Sequence, residues 1–327
     1  MDNPANTNIG VLDQFQTEFS EFWGRVPNKG FFLILTACWL LLFQFFGNAT
    51  FGYIDTPSLF RWMWSVYHRL EPDGSLSDDS IGLWVPVLVL GLMWWKQKEL
   101  VALPLKLWWP GLALVVLGLG LHVVGFFIQQ PRLSIVALLF GVYGLMGLTW
   151  GREWLARIFF PFFLLVFLVP FSTVIDPITF PLRLLAAQIV EGICQTVLTI
   201  DVVREGTTLK DPLNKYHYEV AAACSGIRSL VAIGLMATVG AFMYFKQWWR
   251  RATLFALIIP LAVVGNVVRL LTIILAAEFG GQSAGNYVHE GGPGGILSLL
   301  PYVPAIFGLM YAGRWLEEPK TAPAKSA

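Results

Sequence analysis

Long apolar segments alternate with short polar connections along most of the chain. Eight of these segments approach the roughly 20 apolar residues that are needed to cross a bilayer. They span residues 31–46, 81–95, 107–128, 133–150, 156–175, 226–245, 252–277 and 296–313. The pattern predicts an all-α integral membrane protein with about eight transmembrane helices, forming a single multi-span domain over residues 1–327.

The basic residues between the apolar segments predict how the helices are oriented. Lysines and arginines are concentrated in the connections after the second, fourth and sixth segments. The residues concerned are Lys96, Lys98, Lys106, Arg152, Arg157, Lys246, Arg250 and Arg251. Because cytoplasmic loops carry an excess of Lys and Arg, we expect these connections in the cytoplasm, together with the N-terminal segment 1–29 and the tail 314–327. The other connections then lie on the extracytoplasmic side.

The connection at residues 176–225 is long enough to hold structure of its own. Its first part, residues 178–198, has polar residues along one face of an otherwise apolar helix, which predicts an amphipathic helix in the outer interface. These polar residues are Gln188, Glu191 and Gln195. Its second part, residues 199–220, has β-favouring residues around a DPLN turn signal and ends in the alternating KYHYEV. We expect a small, extracytoplasmic, hairpin-like cap there.

Composition agrees with a membrane protein and gives no support for nucleic acid as a partner. Hydrophobic residues make up 56% of the chain and charged residues 13%, and the formal net charge is +1. This balance gives no reason to expect nucleic acid as a partner. The three cysteines, Cys38, Cys194 and Cys224, form no CxxC pair and no metal-ligand spacing. The sequence therefore predicts neither a disulfide framework nor a metal site, and no cofactor.

Cys224 lies where the polar connection passes into the sixth apolar segment. Ser225 and Gly226 follow it directly, so Ser225 is expected to cap the N-terminus of the helix. The positive end of a helix favours the thiolate, which is the nucleophilic form of cysteine. The alternative, a buried and inert cysteine, stays open on this stretch alone. Arg228, one turn further on, is either a second cation for the site or a partner of lipid phosphate.

Arg269 lies well inside the seventh apolar segment. An arginine in the middle of a membrane span is unfavourable by roughly 2.5 to 3.5 kcal/mol, so such residues usually face a partner or a polar cavity. Asn266, three residues earlier, extends the polar stripe on the same helix face. We therefore expect a polar site here, with extension of Arg269 to the membrane surface as the alternative.

Two histidines are candidates for acid–base chemistry. His289 lies in NYVHEGGPGG, within a predicted outer loop at residues 278–295. His217 alternates with tyrosines in the predicted strand, seven residues before Cys224, with Glu219 as a possible orienting carboxylate. Local pattern does not choose between them. The predicted orientation brings Cys224, Arg269 and His289 to the same, extracytoplasmic face.

The order of these motifs resembles one known family. ACSGIRS opening a span, NVVR inside the next, and a histidine in the following outer loop are similar to the exosortase/archaeosortase family of membrane transpeptidases, over about residues 219–289. The resemblance implies that Cys224, Arg269 and His289 are catalytic. One departure is Ala222, where many members have a glutamate. The supporting residues we expect are Arg228, Asn266, Ser225 and His217.

The resemblance also implies the reaction and its partners. Such enzymes, in the bacterial inner membrane, cut exported precursors at a C-terminal sorting signal composed of a short motif such as Pro-Glu-Pro, a transmembrane helix and a basic cluster. They proceed through an acyl-thioester and transfer the new C-terminus to an acceptor, such as a membrane lipid or a cell-surface polymer. Two alternatives remain. One is a cysteine protease that only hydrolyses; the other is a transporter whose path is lined by Asn266, Arg269 and Glu278.

Overall fold

The computed structural model describes residues 11–48, 56–70, 77–213, 215–219, 226–292, 296–297 and 299–317. Most of these residues are helical, with a small sheet late in the chain. The helices are α1 (Val11–Arg25), α2 (Lys29–Phe46), α3 (Leu59–Tyr67), α4 (Val85–Trp95), α5 (Gln97–Val101), α6 (Pro110–Phe127), α7 (Pro131–Trp150), α8 (Arg152–Phe163), α9 (Ser172–Thr196), α10 (Gly226–Tyr244), α11 (Trp248–His289) and α12 (Tyr302–Leu316). Short 3-10 helices occupy Asp78–Leu83 and Leu164–Leu168, and the strands are β1 (Val203–Glu205), β2 (Thr208–Lys210) and β3 (His217–Glu219).

Four of the described helices are long and apolar enough to cross a membrane, namely α2, α6, α7 and α11. Helix α10 contains a shorter apolar stretch, Leu230–Tyr244. The prediction of a largely helical membrane protein is therefore confirmed. The number of eight spans is not, because α4 has 11 residues and α12 has 15.

The predicted fifth span, residues 156–175, is not one helix. Helix α8 ends at Phe163, a 3-10 turn follows, and the chain is extended at Val169 before α9 begins at Ser172. The physical reason is Pro170, because a proline forces the preceding residue out of the helical region. The N-terminus of α9 is then held by Asp79, whose carboxylate accepts hydrogen bonds from the Ser172 N–H at 3.1 Å and the Ser172 hydroxyl at 2.5 Å.

The described chain divides into two compact units, the first formed by residues 1–65 and 83–169. Its centre is the antiparallel pair α6 and α7, which approach closely at glycines. A Cβ atom added to Gly111 would lie 2.6 Å from the Gly144 carbonyl oxygen, so only glycine permits this spacing. Helix α2 packs on the pair through Trp39, whose indole N–H donates to the Leu138 carbonyl at 3.2 Å.

The second unit is formed by residues 66–82 and 170–327. Helices α9 and α11 and the sheet enclose one apolar core, and α10 and α12 pack along α11. Members of that core from the three parts include Val190, Cys194, Leu209, Tyr216, Leu270 and Ile274. All of the candidate site residues belong to this unit.

The sheet has the order β1-β2-β3 with antiparallel pairing throughout. Gly206, with φ of 63°, permits the tight turn between β1 and β2. The next turn begins at Asp211, whose carboxylate accepts the backbone N–H groups of Leu213 at 2.9 Å and Lys215 at 3.1 Å. The predicted segment therefore does form antiparallel strands, whereas its position as a cap outside the membrane stays a prediction.

Helix α11 does not end where the sequence indicated. The predicted loop at residues 278–295 is wrong for its first part, since α11 continues to His289. The helix is interrupted at Gly281, where φ is 73° and ψ is −177°. A straight helix would separate Arg269 from His289 by about 30 Å. Instead an Arg269 nitrogen lies 3.3 Å from the His289 carbonyl oxygen, so the chain reverses at Gly281.

Candidate active site

The predicted nucleophile, Cys224, and the predicted helix cap, Ser225, lie outside the described residues. The side chain of Arg228 lies outside them as well. Their place along the chain is nevertheless bounded on both sides. Strand β3 ends at Glu219, five residues before the cysteine, and α10 begins at Gly226, where the sequence predicted a helix to start.

Arg269 and His289 are brought together by the reversal of α11. The Arg269 guanidinium group is half-buried and donates from Nη2 to the main-chain oxygen of His289 at 3.3 Å. A cation is favoured at this place because the carbonyl groups that end a helix carry partial negative charge. Arg269 therefore has a hydrogen-bond acceptor within the protein, as expected for an arginine in a membrane span.

His289 is the last residue of α11 and is half-buried, so it does not lie in the flexible loop that its neighbours indicated. Its imidazole ring packs against the Tyr218 ring with centroids 6.4 Å apart and planes inclined by 26°. The Tyr218 hydroxyl donates to the main-chain oxygen of Gln282 at 2.9 Å. Burial raises the pKa of Tyr218, so the phenol remains protonated and keeps this bond.

Asn266 is 4% exposed and lies one turn before Arg269. It shares a small cavity with Thr179 and Arg183 of α9 and Leu230 of α10. Arg183 is only 6% exposed and was not identified from the sequence, which had marked the polar face of α9 at other positions. The sequence does contain a signal for this residue, because Arg183 is a lone charged residue among apolar neighbours in FPLRLLA. An arginine is rarely buried unless it has polar partners.

His217 has an exposed side chain, but its backbone is tied to α11. Its N–H donates to Gln282 Oε1 at 2.9 Å, and Gln282 Nε2 donates to the His217 carbonyl at 3.4 Å. Glu278 accepts a hydrogen bond from the Tyr216 hydroxyl at 3.1 Å and lies 3.7 Å from the Lys215 ammonium group. Burial first and then Glu278 raise the pKa of Tyr216, which keeps that phenol a donor.

These contacts fasten β3 to the second part of α11. The same two elements carry the approach to Cys224 and the histidine at His289. Gln282 and Tyr218 were missed by sequence reasoning, because their partners lie more than sixty residues away along the chain. Gly285 is part of this contact, since a Cβ atom there would lie 2.1 Å from the Tyr218 hydroxyl.

Comparison with known families decides what kind of protein carries this arrangement. The profile of transmembrane exosortases matches residues 74–307, well over half of the chain. The chain belongs to the transmembrane exosortase family. The matched range includes β3, Cys224 and the whole of α11. Searches of curated protein sequences and of solved structures find no match. Membership identifies a membrane protein of a family of cysteine-type peptidases and transpeptidases.

The other two cysteines of this exosortase, Cys38 and Cys194, lie in described helices. Cys194 is fully buried in the core of the second unit, and burial raises the pKa of its thiol. Cys38 lies on an exposed face of the apolar helix α2, in the first unit. Neither residue lies in the segment between β3 and α10.

Proposed function

We propose that this exosortase cleaves the C-terminal sorting signal of exported precursors and transfers the new C-terminus to an acceptor. Cys224 is the nucleophile, and Arg269 and His289 complete the catalytic group. The observation that carries the proposal is the 3.3 Å contact that brings Arg269 to the end of the helix bearing His289, beside the strand that leads to Cys224. The family match over this region supports the same assignment.

The reaction follows from the chemistry of these groups. The Cys224 thiolate attacks the scissile carbonyl carbon, and the guanidinium group of Arg269 stabilises the negative charge that develops on the carbonyl oxygen. The carbon–nitrogen bond breaks, His289 donates a proton to the leaving amine, and an acyl-thioester remains. An amine or hydroxyl of the acceptor then attacks the thioester while His289 accepts its proton, and the thiolate is released.

Supporting residues have roles that follow from their positions. Asn266 keeps the neighbourhood of Arg269 polar, and from the sequence we expect Ser225 to cap α10 and Arg228 to supply a second cation. His217 holds the strand through its backbone. The expected substrates are precursors with a short motif, a transmembrane helix and a basic cluster, and the expected acceptor is a membrane lipid or a cell-surface polymer. The protein works in the bacterial inner membrane with both termini cytoplasmic and its site on the extracytoplasmic face.

Replacing the nucleophile tests the proposal directly. We expect Cys224→Ala to insert at the normal level and to leave precursors with their C-terminal helix attached. Cys38→Ala and Cys194→Ala are matched controls and should process precursors normally. Processing is measured by intact-mass analysis of the precursor after incubation with the purified enzyme in lipid nanodiscs. Normal processing by Cys224→Ala would exclude the cysteine mechanism.

The same mass measurement separates transfer from simple hydrolysis. A transferred product is heavier than the hydrolysed one by the mass of a lipid or sugar acceptor. A hydroxylamine-sensitive adduct between enzyme and product would show the thioester in either case. If the only product has the hydrolysed mass with acceptors present, the protein is a protease that hydrolyses.

A further inference from the structure

The outer edge of β3 has backbone groups that point away from its partner strand. The Asp211 N–H donates to the Tyr216 carbonyl at 3.1 Å, and the register continues with Leu209 opposite Tyr218. Hydrogen bonding alternates along an antiparallel pair, so the peptide groups of Tyr216 and Tyr218 face β2. Those of His217 and Glu219 therefore face the opposite side. Among the described strands, β3 is at the edge of the sheet.

A side-chain amide already occupies the first of these outward positions. Gln282 both accepts from the His217 N–H at 2.9 Å and donates to its carbonyl at 3.4 Å. A carboxamide carries the same donor and acceptor as a peptide group. Gln282 thus makes the bonds that one residue of an added antiparallel strand would make.

The second outward position, Glu219, is closer to the nucleophile. It lies five residues before Cys224, and five extended residues reach at most about 17 Å. Polar groups of α11 continue in the same direction, because Asn286 lies one turn beyond Gln282 and accepts its Nε2–H at 2.9 Å. His289 follows three residues later on the same face, with its ring against Tyr218.

We propose that the extended segment of the precursor next to the scissile bond adds as a strand to this edge, pairing with the N–H and C=O of Glu219. Main-chain pairing holds the peptide without reading its side chains, and it brings the scissile bond to the strand that precedes Cys224 in the chain and whose Tyr218 packs against His289. The occupant is the substrate because the edge leads along the chain directly to the nucleophile. This inference rests on the proposed function and names how its substrate is held.

An amide-to-ester scan of the substrate tests the pairing. The probe is a synthetic precursor peptide with its transmembrane helix, in which each amide near the cleavage site is replaced in turn by an ester. Binding is measured on the full-length Cys224→Ala protein in nanodiscs. We expect Kd to rise about three- to tenfold at one position, or at positions two residues apart, and to stay unchanged in between. A flat scan overturns the proposal.

The protein side is tested by Glu219→Pro, with Glu219→Ala as the matched reference that also lacks the carboxylate. Proline removes only the outward N–H, since residue 219 does not donate to β2. We expect Glu219→Pro to raise Kd about three- to tenfold over Glu219→Ala for the all-amide peptide and for the sensitive ester, because the ester removes a different bond, the one accepted by the Glu219 carbonyl. Equal affinity of Glu219→Pro and Glu219→Ala overturns the proposal.

Two further outcomes separate the alternatives. If Glu219→Pro changes the oligomeric state while peptide affinity is unchanged, the edge pairs with a second copy of the chain and the proposal fails. If the wild-type protein binds the peptide with the expected ester pattern but never cuts it, the proposed function fails and the docking edge stands.

Discussion

At the scale of single residues, Arg269 combines a charge with a fixed geometry. Among the described residues, one guanidinium nitrogen bonds the His289 carbonyl, and in the proposed mechanism other donors of the same planar group bind the substrate oxyanion. A lysine would retain the charge but could not serve both partners from one rigid fork. The role we assign to Arg269 therefore depends on the shape of the group.

We predict that Arg269→Lys lowers turnover about a hundredfold while the protein level in the membrane is preserved. The measurement is the single-turnover cleavage rate of one purified precursor. The control is Arg152→Lys, because Arg152 is exposed at the start of α8, in the first unit. Full activity of Arg269→Lys would mean that the residue supplies only charge or fixes the helix end.

The two histidines differ in how their rings are placed. The His289 ring is half-buried against Tyr218, whereas the His217 ring is exposed and only its backbone is bonded to Gln282. Acid–base groups contribute about 10² to 10⁴ in rate, so His289→Ala should lose about that factor. His217→Ala should stay within about tenfold, since its backbone contacts remain. Cleavage rates that show the opposite order would reverse the assignment of the acid–base residue.

At the scale of elements, the contact between the sheet and the second part of α11 organises the candidate site. Tyr218 lies over Gly285, where there is no room for a side chain. The reversal at Gly281 makes this contact possible, because it returns the end of α11 towards Arg269. The contact between the sheet and α11 therefore depends on Gly281 and Gly285, which the amino-acid sequence alone indicates only as flexible positions.

We predict that Gly285→Ala loosens the sheet from α11, because its Cβ atom would lie 2.1 Å from the Tyr218 hydroxyl. Overpacking of this kind typically costs about 1 to 3 kcal/mol. Turnover should fall, and backbone amides of β3 should exchange faster with deuterium. Gly192→Ala, in α9 with no atom within 4 Å of the added Cβ, should leave both unchanged. Unchanged exchange in Gly285→Ala would show that the contact does not hold the strand.

Much of the fold could be predicted from apolar patterning, and the exceptions have physical causes. Helices α2, α6, α7 and α10 begin and end close to the predicted bounds, since length and hydropathy are local properties. The break before α9 depends on Pro170, which the apolar run concealed. The helix from Gly281 to His289 is glycine-rich and polar, and long-range contacts with Tyr218 and Arg269 accompany it.

Only part of the candidate site could be predicted from the sequence. The structure brings Arg269 to the end of the helix that bears His289, whereas the common extracytoplasmic face of Cys224, Arg269 and His289, which rested on the positions of Lys and Arg, stays a prediction. Gln282, Tyr218 and Arg183 could not be found that way, because their importance depends on tertiary packing across elements far apart in sequence. Cys224, the predicted nucleophile, lies outside the described residues.

At the scale of the whole molecule, the first part of α11 carries Arg269 within an apolar segment. Arg269 lies about 12 Å, measured along the helix, inside the apolar segment that ends at residue 277. In the proposed function, a substrate cleaved next to its own transmembrane helix presents the scissile bond to Arg269 and His289. The opposite end of α11 follows the basic sequence KQWWRR, which predicts a cytoplasmic position.

The last prediction tests that orientation. In a background of Cys38→Ala, Cys194→Ala and Cys224→Ala, a single cysteine is introduced by Ser283→Cys or by Gln247→Cys, both at exposed positions. Ser283 lies just after the reversal at Gly281, and Gln247 directly precedes α11, so the two residues lie at opposite ends of the first part of the helix. A membrane-impermeant maleimide should label Ser283→Cys in intact cells and Gln247→Cys only after permeabilisation. The reverse pattern would place Lys246, Arg250 and Arg251 outside, and the catalytic group would then face the cytoplasm, where an exported precursor could not be joined to a surface acceptor.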